Sequence, residues 1–334
     1  MAADAGSCAA ADVPARVGVD VPRRAHHSPP DHVHARNTPR AWAELLRLPA
    51  LFTVPGDALA GAAATDARPD FRTLLAIGSS LCLYEAGMAL NDWADREEDA
   101  RERPHRPVPS GRVRPAAALA AACALTAGGL ALAAGAGRPA LAVAAPLAAT
   151  VWTYDLTLKH TPVGPLAMAA ARGLDLLLGA AATSGHLREA LPSAALLGTH
   201  TLAVTAVSRQ ETRGGSPLVP LTALTTTGLL TGLLRHPPSR PRRHHPGSPV
   251  RGLPGSLPRT ALSAAYAATA TRPYFHATLN PSPPLTQRAV AGGIRATIPL
   301  QATLAARSGA GATALLVAAL APLAGRFGRK VSVT

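Results

Sequence analysis

From about residue 40 onward the chain alternates long apolar runs with short polar breaks. The runs cover 42–64, 72–90, 115–135, 138–153, 162–183, 190–207, 217–234, 259–272, 289–306 and 310–326. A helix rises about 1.5 Å per residue, so about 20 apolar residues cross a hydrocarbon layer of about 30 Å, and several runs reach that length. The run 115–135 is apolar or small on every side. A helix without a polar stripe is buried or faces lipid. The pattern predicts an all-α fold, a polytopic membrane helical bundle of about nine transmembrane helices around a central cavity, located in the cell membrane. Runs 138–153 and 259–272 are the short ones, expected to be half-buried if they do not cross.

Two stretches interrupt this rhythm. Residues 1–40 and 235–258 are rich in Pro, Arg and His and cannot bury enough apolar surface to fold alone. The expected organisation is a disordered basic tail over 1–40 and one transmembrane domain over 41–334, with a low-complexity insert at 235–258. The first 40 residues hold no apolar stretch of signal-peptide length, so no cleavable signal is expected.

Composition narrows the class further. With 48% hydrophobic residues and three cysteines in 334, the chain is neither a disordered polymer nor a disulfide scaffold. The net charge of +14 raises nucleic-acid binding, and of the 33 basic residues all but Lys159 and Lys330 are arginine. These arginines are spread over the tail, the insert and the breaks between runs, with no aromatic interleaving. They read as basic loops beside a membrane, with no nucleic-acid partner.

The chemistry concentrates in residues 91–114, directly after the run 72–90. If that helix continues, Asn91, Asp95 and Asp99 recur at i, i+4 and i+8 with Asp92 beside them, placing oxygen ligands on one face at a membrane surface. Hard oxygen ligands suit Mg²⁺, which bridges carboxylates to substrate phosphates, so this face predicts a diphosphate site. The alternative is a solvated charged segment in which Glu97, Glu98 and Glu102 pair with neighbouring arginines. Glu85, seven residues before Asp92, lies on the same side of the helix and is placed beneath the acidic face.

The order Asn-Asp-x-x-Asp-x-x-x-Asp followed by Arg-Pro-x-Pro-Ser-Gly resembles the first aspartate-rich motif of the UbiA superfamily of intramembrane prenyltransferases, of the 4-hydroxybenzoate polyprenyltransferase-like type. Asn91, Asp92, Asp95, Asp99, Arg106, Pro107, Pro109, Ser110 and Gly111 all fit that pattern. Leu-Arg-Leu-Pro-Ala at 46–50 resembles the family's first helix. Tyr154, Lys159 and Thr-Pro-Val-Gly at 161–164 resemble its tyrosine and lysine element, Arg172 fits the following helix, and 294–302 resembles a penultimate helix in one branch. The resemblance spans roughly residues 42–326.

That resemblance implies Mg²⁺ held by Asn91, Asp92, Asp95 and Asp99, with Asp95 and Asp99 catalytic. It implies an isoprenoid diphosphate gripped by Arg106, Tyr154, Lys159 and Arg172, and a lipophilic aromatic or quinone-type acceptor, all within membrane lipid. Ionisation of the allylic carbon–oxygen bond would follow from neutralising the leaving diphosphate. The family's second aspartate-rich motif is replaced here by residues 208–215, where only Glu211 is acidic. Glu211 is the one remaining ligand expected there and a catalytic residue, with Arg209 and Arg213 taking over neutralisation of the diphosphate charge; the alternative is that the second metal site is lost and catalysis with it. Glu211 and Asp175 are the candidates for activating the acceptor. Arg172 and Asp175, at i and i+3, are alternatively a mutual pair. The rival function is a catalytically degenerate carrier or accessory protein that kept the fold and one anion site; a plain transporter is a third. With the tail inside and an odd number of crossings, the loops near 91–114, 154–161, 208–216 and 272–288 share one side, leaving the basic insert outside against the usual charge bias.

Overall fold

A computed structural model describes residues 38–211, 214–236 and 256–331. The expected tail up to residue 37, the insert over 237–255 and Arg213 lie outside the described residues. The described residues form twelve α-helices and no strand. The chain opens with α1 (Pro39–Leu45), a 3₁₀ turn (Leu48–Thr53) and α2 (Pro55–Ala64). The long α3 (Phe71–Ala94) leads to short α4 (Arg96–Glu102), then α5 (Pro115–Ala136) and α6 (Arg138–Thr153), which ends in a π-helical turn (Tyr154–Leu158). The remainder is α7 (Gly164–Thr183), α8 (Leu191–Ser208), α9 (Leu218–Arg235), α10 (Ser256–Leu279), α11 (Pro283–Arg307) and α12 (Gly311–Val331). Six spans are long and apolar enough to cross a membrane: α3, α5, α6 with its π turn, α7, α8 and α9.

Three expectations shift. The run 42–64 is not one helix: Pro49 and Pro55 lack the N–H a helix interior needs, and each instead sits in the opening turn of a new segment. The run 138–153 is extended to Leu158 by the π turn, giving a 21-residue span. The run 259–272 is longer than its apolar residues suggest, because α10 continues through Arg272, Pro273 and His276 to Leu279.

Small residues set the helix spacing. Where α2 crosses α7, a side chain at Gly61 would run into the Leu176 carbonyl, and one at Gly179 into the Ala58 backbone. Bare backbones allow this approach, as in lipid-embedded helices generally. One apolar cluster joins α2, α3, α5, α6 and α7, including Ala58, Leu83, Leu147 and Leu178. A second joins α7 to α11 around Leu176, Leu197, Tyr266 and Tyr274. A third, Ala41, Leu45, Ala89, Leu90, Val108, Val113 and Ala118, clamps α1 and the 106–113 loop onto the end of α3. That last cluster positions the site.

Candidate functional site

The acidic face forms where α3 ends. Helix α3 starts at a capping box, Asp70 accepting from the Thr73 N–H at 3.0 Å while the Asp70 N–H donates to the Thr73 hydroxyl at 3.0 Å. It stops at Asp95, whose backbone leaves the helical region. The predicted straight continuation therefore breaks into α3 and α4. The i to i+4 ladder nonetheless persists through the acids, Asp95 N–H to Asn91 carbonyl at 2.9 Å and Asp99 N–H to Asp95 carbonyl at 2.8 Å. Asn91, Asp95 and Asp99 thus stay one turn apart, while Asp92 and Asp99 are each only 3% exposed.

The following loop is built to aim Arg106. Pro107 and Pro109 fix their backbone angles, the Ser110 hydroxyl donates to the Arg106 carbonyl at 2.6 Å, and Gly111 takes the left-handed angle (φ 75°) that closes the turn. Arg112 ties the loop to α1 through Glu44 at 2.6 Å. Arg106 then reaches Asp99 at 2.7 Å and Asp92 at 3.6 Å. Arg103 lies 3.7 Å from Asp99. From the other side, Arg47 meets Asp92 at 3.3 Å. Arg47 itself holds a left-handed backbone (φ 48°), a conformation disfavoured for a residue with a β-carbon and kept here at the junction of α1 and the 3₁₀ turn.

The π turn supplies the opposite wall. Its Lys159 N–H bonds the Tyr154 carbonyl five residues back at 2.9 Å, and such wide turns recur at functional sites. The extra residue brings Asp155, 5% exposed, to the Asn91 amide at 3.3 Å. Lys159 pairs directly with Asp95. Tyr154 is half-buried, within electrostatic reach of Asp95 and Arg209. Asp95, Glu98 and His160 also converge, with one donor atom from each within 4.8 Å of the others.

The remaining predicted residues divide. Arg209 is exposed and donates to the Thr161 carbonyl at the edge of the same wall. Glu211 is half-buried beside Arg103; burial pushes its carboxyl above the usual range while the Arg103 guanidinium opposes the rise. Among the described residues Arg103 pairs with Asp99 and lies within electrostatic reach of Glu211, which makes no ion pair of its own. Arg172 pairs with Asp57 at 2.9 Å and donates to the Thr53 carbonyl at 3.0 Å, whereas Asp175 takes the Ser80 hydroxyl. The i, i+3 pairing is thus replaced, because α2 packs against α7 and brings a fully buried carboxylate to the guanidinium. Glu85 is 7% exposed, and neither of its carboxylate oxygens has a hydrogen bond among the described residues.

Three residues escaped the sequence reading: Arg47, Asp155 and Asp57. Arg47 lay within the quoted Leu-Arg-Leu-Pro stretch, and Asp155 stood between the named Tyr154 and Lys159. Asp57 stands in Pro-Gly-Asp-Ala-Leu-Ala-Gly at 55–61, a stretch also similar to the family's first helix that gives this carboxylate no role by itself.

Comparison with known proteins bears on the family and the fold. A family model described as the UbiA prenyltransferase family matches residues 50–233. A digeranylgeranylglyceryl phosphate synthase of Methanopyrus kandleri is 37% identical over 148 residues, covering 42% of this chain and 53% of that protein. One of Methanothrix thermoacetophila is 38% identical over 112 residues, covering 33% and 42%. The chain thus spans about half the length of the curated relatives it matches. Among solved structures, a UbiA homolog from Aeropyrum pernix superposes with TM-score 0.57 at 21% identity, covering 79% of this chain and 96% of that one. A UbiA homolog from Archaeoglobus fulgidus bound to GPP and Mg²⁺ gives 0.52 at 16% identity, covering 84% and 99%. At these identities the structural matches establish the shared fold.

Proposed function

The chain belongs to the UbiA prenyltransferase family, and on that premise we propose that this multi-pass membrane protein moves a prenyl group from an isoprenoid diphosphate to a lipophilic acceptor. The observation that carries the reading is the meeting of Asp92, Asp95, Asp99 and Asp155 with Arg47, Arg106 and Lys159 at one end of the bundle. The proposed ligands suit a hard cation: Asn91, Asp92, Asp95 and Asp99 all offer oxygen, and Asp92 and Asp99 are nearly solvent-free. Asn91, Asp92, Asp95 and Asp99 would hold Mg²⁺, with Asp155 as the outer partner that takes the Asn91 amide; when bound, the ion offsets charge developing on a leaving diphosphate.

The chain's own cations complete the task. Each now rests on a carboxylate, so the same side chains are poised to transfer their charge to phosphate oxygens when a diphosphate enters. Arg47 and Arg106 offer planar forks that match phosphate, and Lys159 a compact point charge. Around them the apolar helices exclude water, which would otherwise capture an allylic cation. The relatives' name, a glyceryl phosphate synthase, favours a lipid with a glycerol hydroxyl as acceptor over the aromatic or quinone-type acceptor expected from the motif alone. Glu211, within electrostatic reach of Arg103, is the acid proposed to receive the acceptor proton.

The test is transfer by purified protein with Mg²⁺ and labelled geranylgeranyl or longer diphosphates, against glyceryl-phosphate lipids and phenolic or quinone acceptors. Prenylated product is expected, falling at least about a hundredfold in Asp95→Ala and Asp99→Ala. Diphosphate binding without product from any acceptor would overturn the reading in favour of a carrier.

A further inference from the structure

Charge is distributed along this chain with a sharp boundary. All 19 acidic residues lie at or before Glu211, and residues 212–334 contain fourteen basic residues and no acid. Three of those arginines gather with a histidine at one place. An open cleft of about 260 Å³ between α10 and α11 is lined by Arg272, Pro273, His276, Leu285, Arg288 and Arg295. Arg272 and His276 stand one turn apart on α10, and Arg288 and Arg295 two turns apart on α11, so two basic stripes face one cleft.

Among the described residues these arginines have no counter-charge. Among the described residues Arg272, Arg288 and Arg295 make no hydrogen bond or ion pair, and neither helix carries a carboxylate. Arg295 lies twelve residues into α11, about 18 Å along its axis. Arg272, Arg288 and Arg295 are all exposed at the cleft, open to an anion from outside the chain. Three guanidiniums and an imidazole around one cleft match a group with several acceptor oxygens, for which phosphate fits the arginine fork. The cleft also has an apolar margin: Leu285 and Pro273 line it, and Phe275, Leu279 and Ile294 are exposed on the same two helices. Its volume admits a polar head and not a whole lipid.

We propose that the α10–α11 cleft binds the phosphate head of an anionic lipid whose chains lie along the exposed apolar residues of those helices. The proposal stands independently of prenyl transfer, since its test reads binding alone. The full chain in a neutral detergent is titrated with dioctanoyl phosphatidic acid, dioctanoylglycerol or inorganic phosphate, and bound lipid is counted by native mass spectrometry. Saturable binding of the phosphatidic acid is expected, with neither the uncharged lipid nor inorganic phosphate binding at the same concentrations. The double variant Arg288→Gln/Arg295→Gln weakens binding tenfold or more, while Arg326→Gln, an equal loss of charge per site on α12, leaves it unchanged. Asp95→Asn keeps full lipid binding, which separates this cleft from the diphosphate site. Should the double variant not fold, Arg272→Gln, exposed on the cleft wall, is expected to weaken binding severalfold. Equal binding of dioctanoylglycerol, displacement of the lipid by equimolar phosphate, or unchanged affinity in folded arginine variants would overturn the proposal.

Discussion

Asp155 owes its place to one extra residue in a helical turn. In an ordinary α-helix the Lys159 N–H would bond to Asp155; here it bonds to Tyr154, and Asp155 reaches Asn91. Replacing an outer partner of a metal ligand typically lowers metal affinity or activity by about 10–100-fold. Asp155→Ala is therefore expected to reduce kcat/KM for the diphosphate by at least that much, whereas Thr157→Ala, exposed on the same turn and bonded only to the Thr153 carbonyl, stays near wild type. Equal rates for the two variants would remove Asp155 from the site. Arg106→Lys is a sharper probe, because one guanidinium nitrogen reaches both Asp92 and Asp99 and leaves the rest of the planar fork for phosphate, which an ammonium cannot offer. Roughly a tenfold or larger fall in kcat/KM is expected, at unchanged thermal unfolding in detergent. At this scale the contiguous motif from Asn91 to Gly111 was legible, since its spacing follows one helical face and one turn. Arg47 and Asp155 were not assigned, because a backbone taking a left-handed or π conformation re-aims a side chain in a way that linear spacing does not encode.

Helix boundaries were legible in proportion to their punctuation. Prolines at 115, 139, 165 and 192 fall in the first turns of α5, α6, α7 and α8, where a missing N–H costs nothing. The same chemistry divides the run 42–64, so its three-part form follows from Pro49 and Pro55 once they are weighed against its apolar length. Which helices touch was not legible. The α2–α7 crossing depends on Gly61 lying against the Leu176 carbonyl and Gly179 against the Ala58 backbone, whereas glycines such as Gly128 and Gly232 have open space around them. Gly179→Val is expected to lower stability by about 1–3 kcal/mol or more through overpacking. Gly232→Ala, where an added carbon meets nothing within 4 Å, should leave stability unchanged or slightly raised. Thermal unfolding monitored by circular dichroism in one detergent compares the two; equal midpoints would sink the packing argument.

Across the whole molecule, a buried polar network joins segments far apart in sequence. Arg172 on α7 meets Asp57 on α2, and Gln301 on α11 donates to the Thr53 carbonyl at 2.7 Å and to Asp57 at 2.5 Å. Removing one member of a buried pair leaves the other charge uncompensated, at a cost of about 3–5 kcal/mol. Arg172→Met is thus expected to lower the unfolding temperature strongly, and Arg172→Met with Asp57→Asn to recover much of the loss. A double variant as unstable as the sum of the single ones would show the pair to be uncoupled. By itself the sequence determined the all-helical, membrane-scale segments and the acidic motif with its arginine-bearing loop, because both are written in local periodicity and spacing. Only the tertiary structure decided that Asp57 rather than Asp175 pairs with Arg172, that Arg47 and Asp155 close around the motif, and that Arg103 pairs with Asp99 within electrostatic reach of Glu211. The first choice follows from how bare glycine surfaces let α2 and α7 approach and the second from left-handed and π backbone turns, in a fold whose polar contacts join segments up to 248 residues apart.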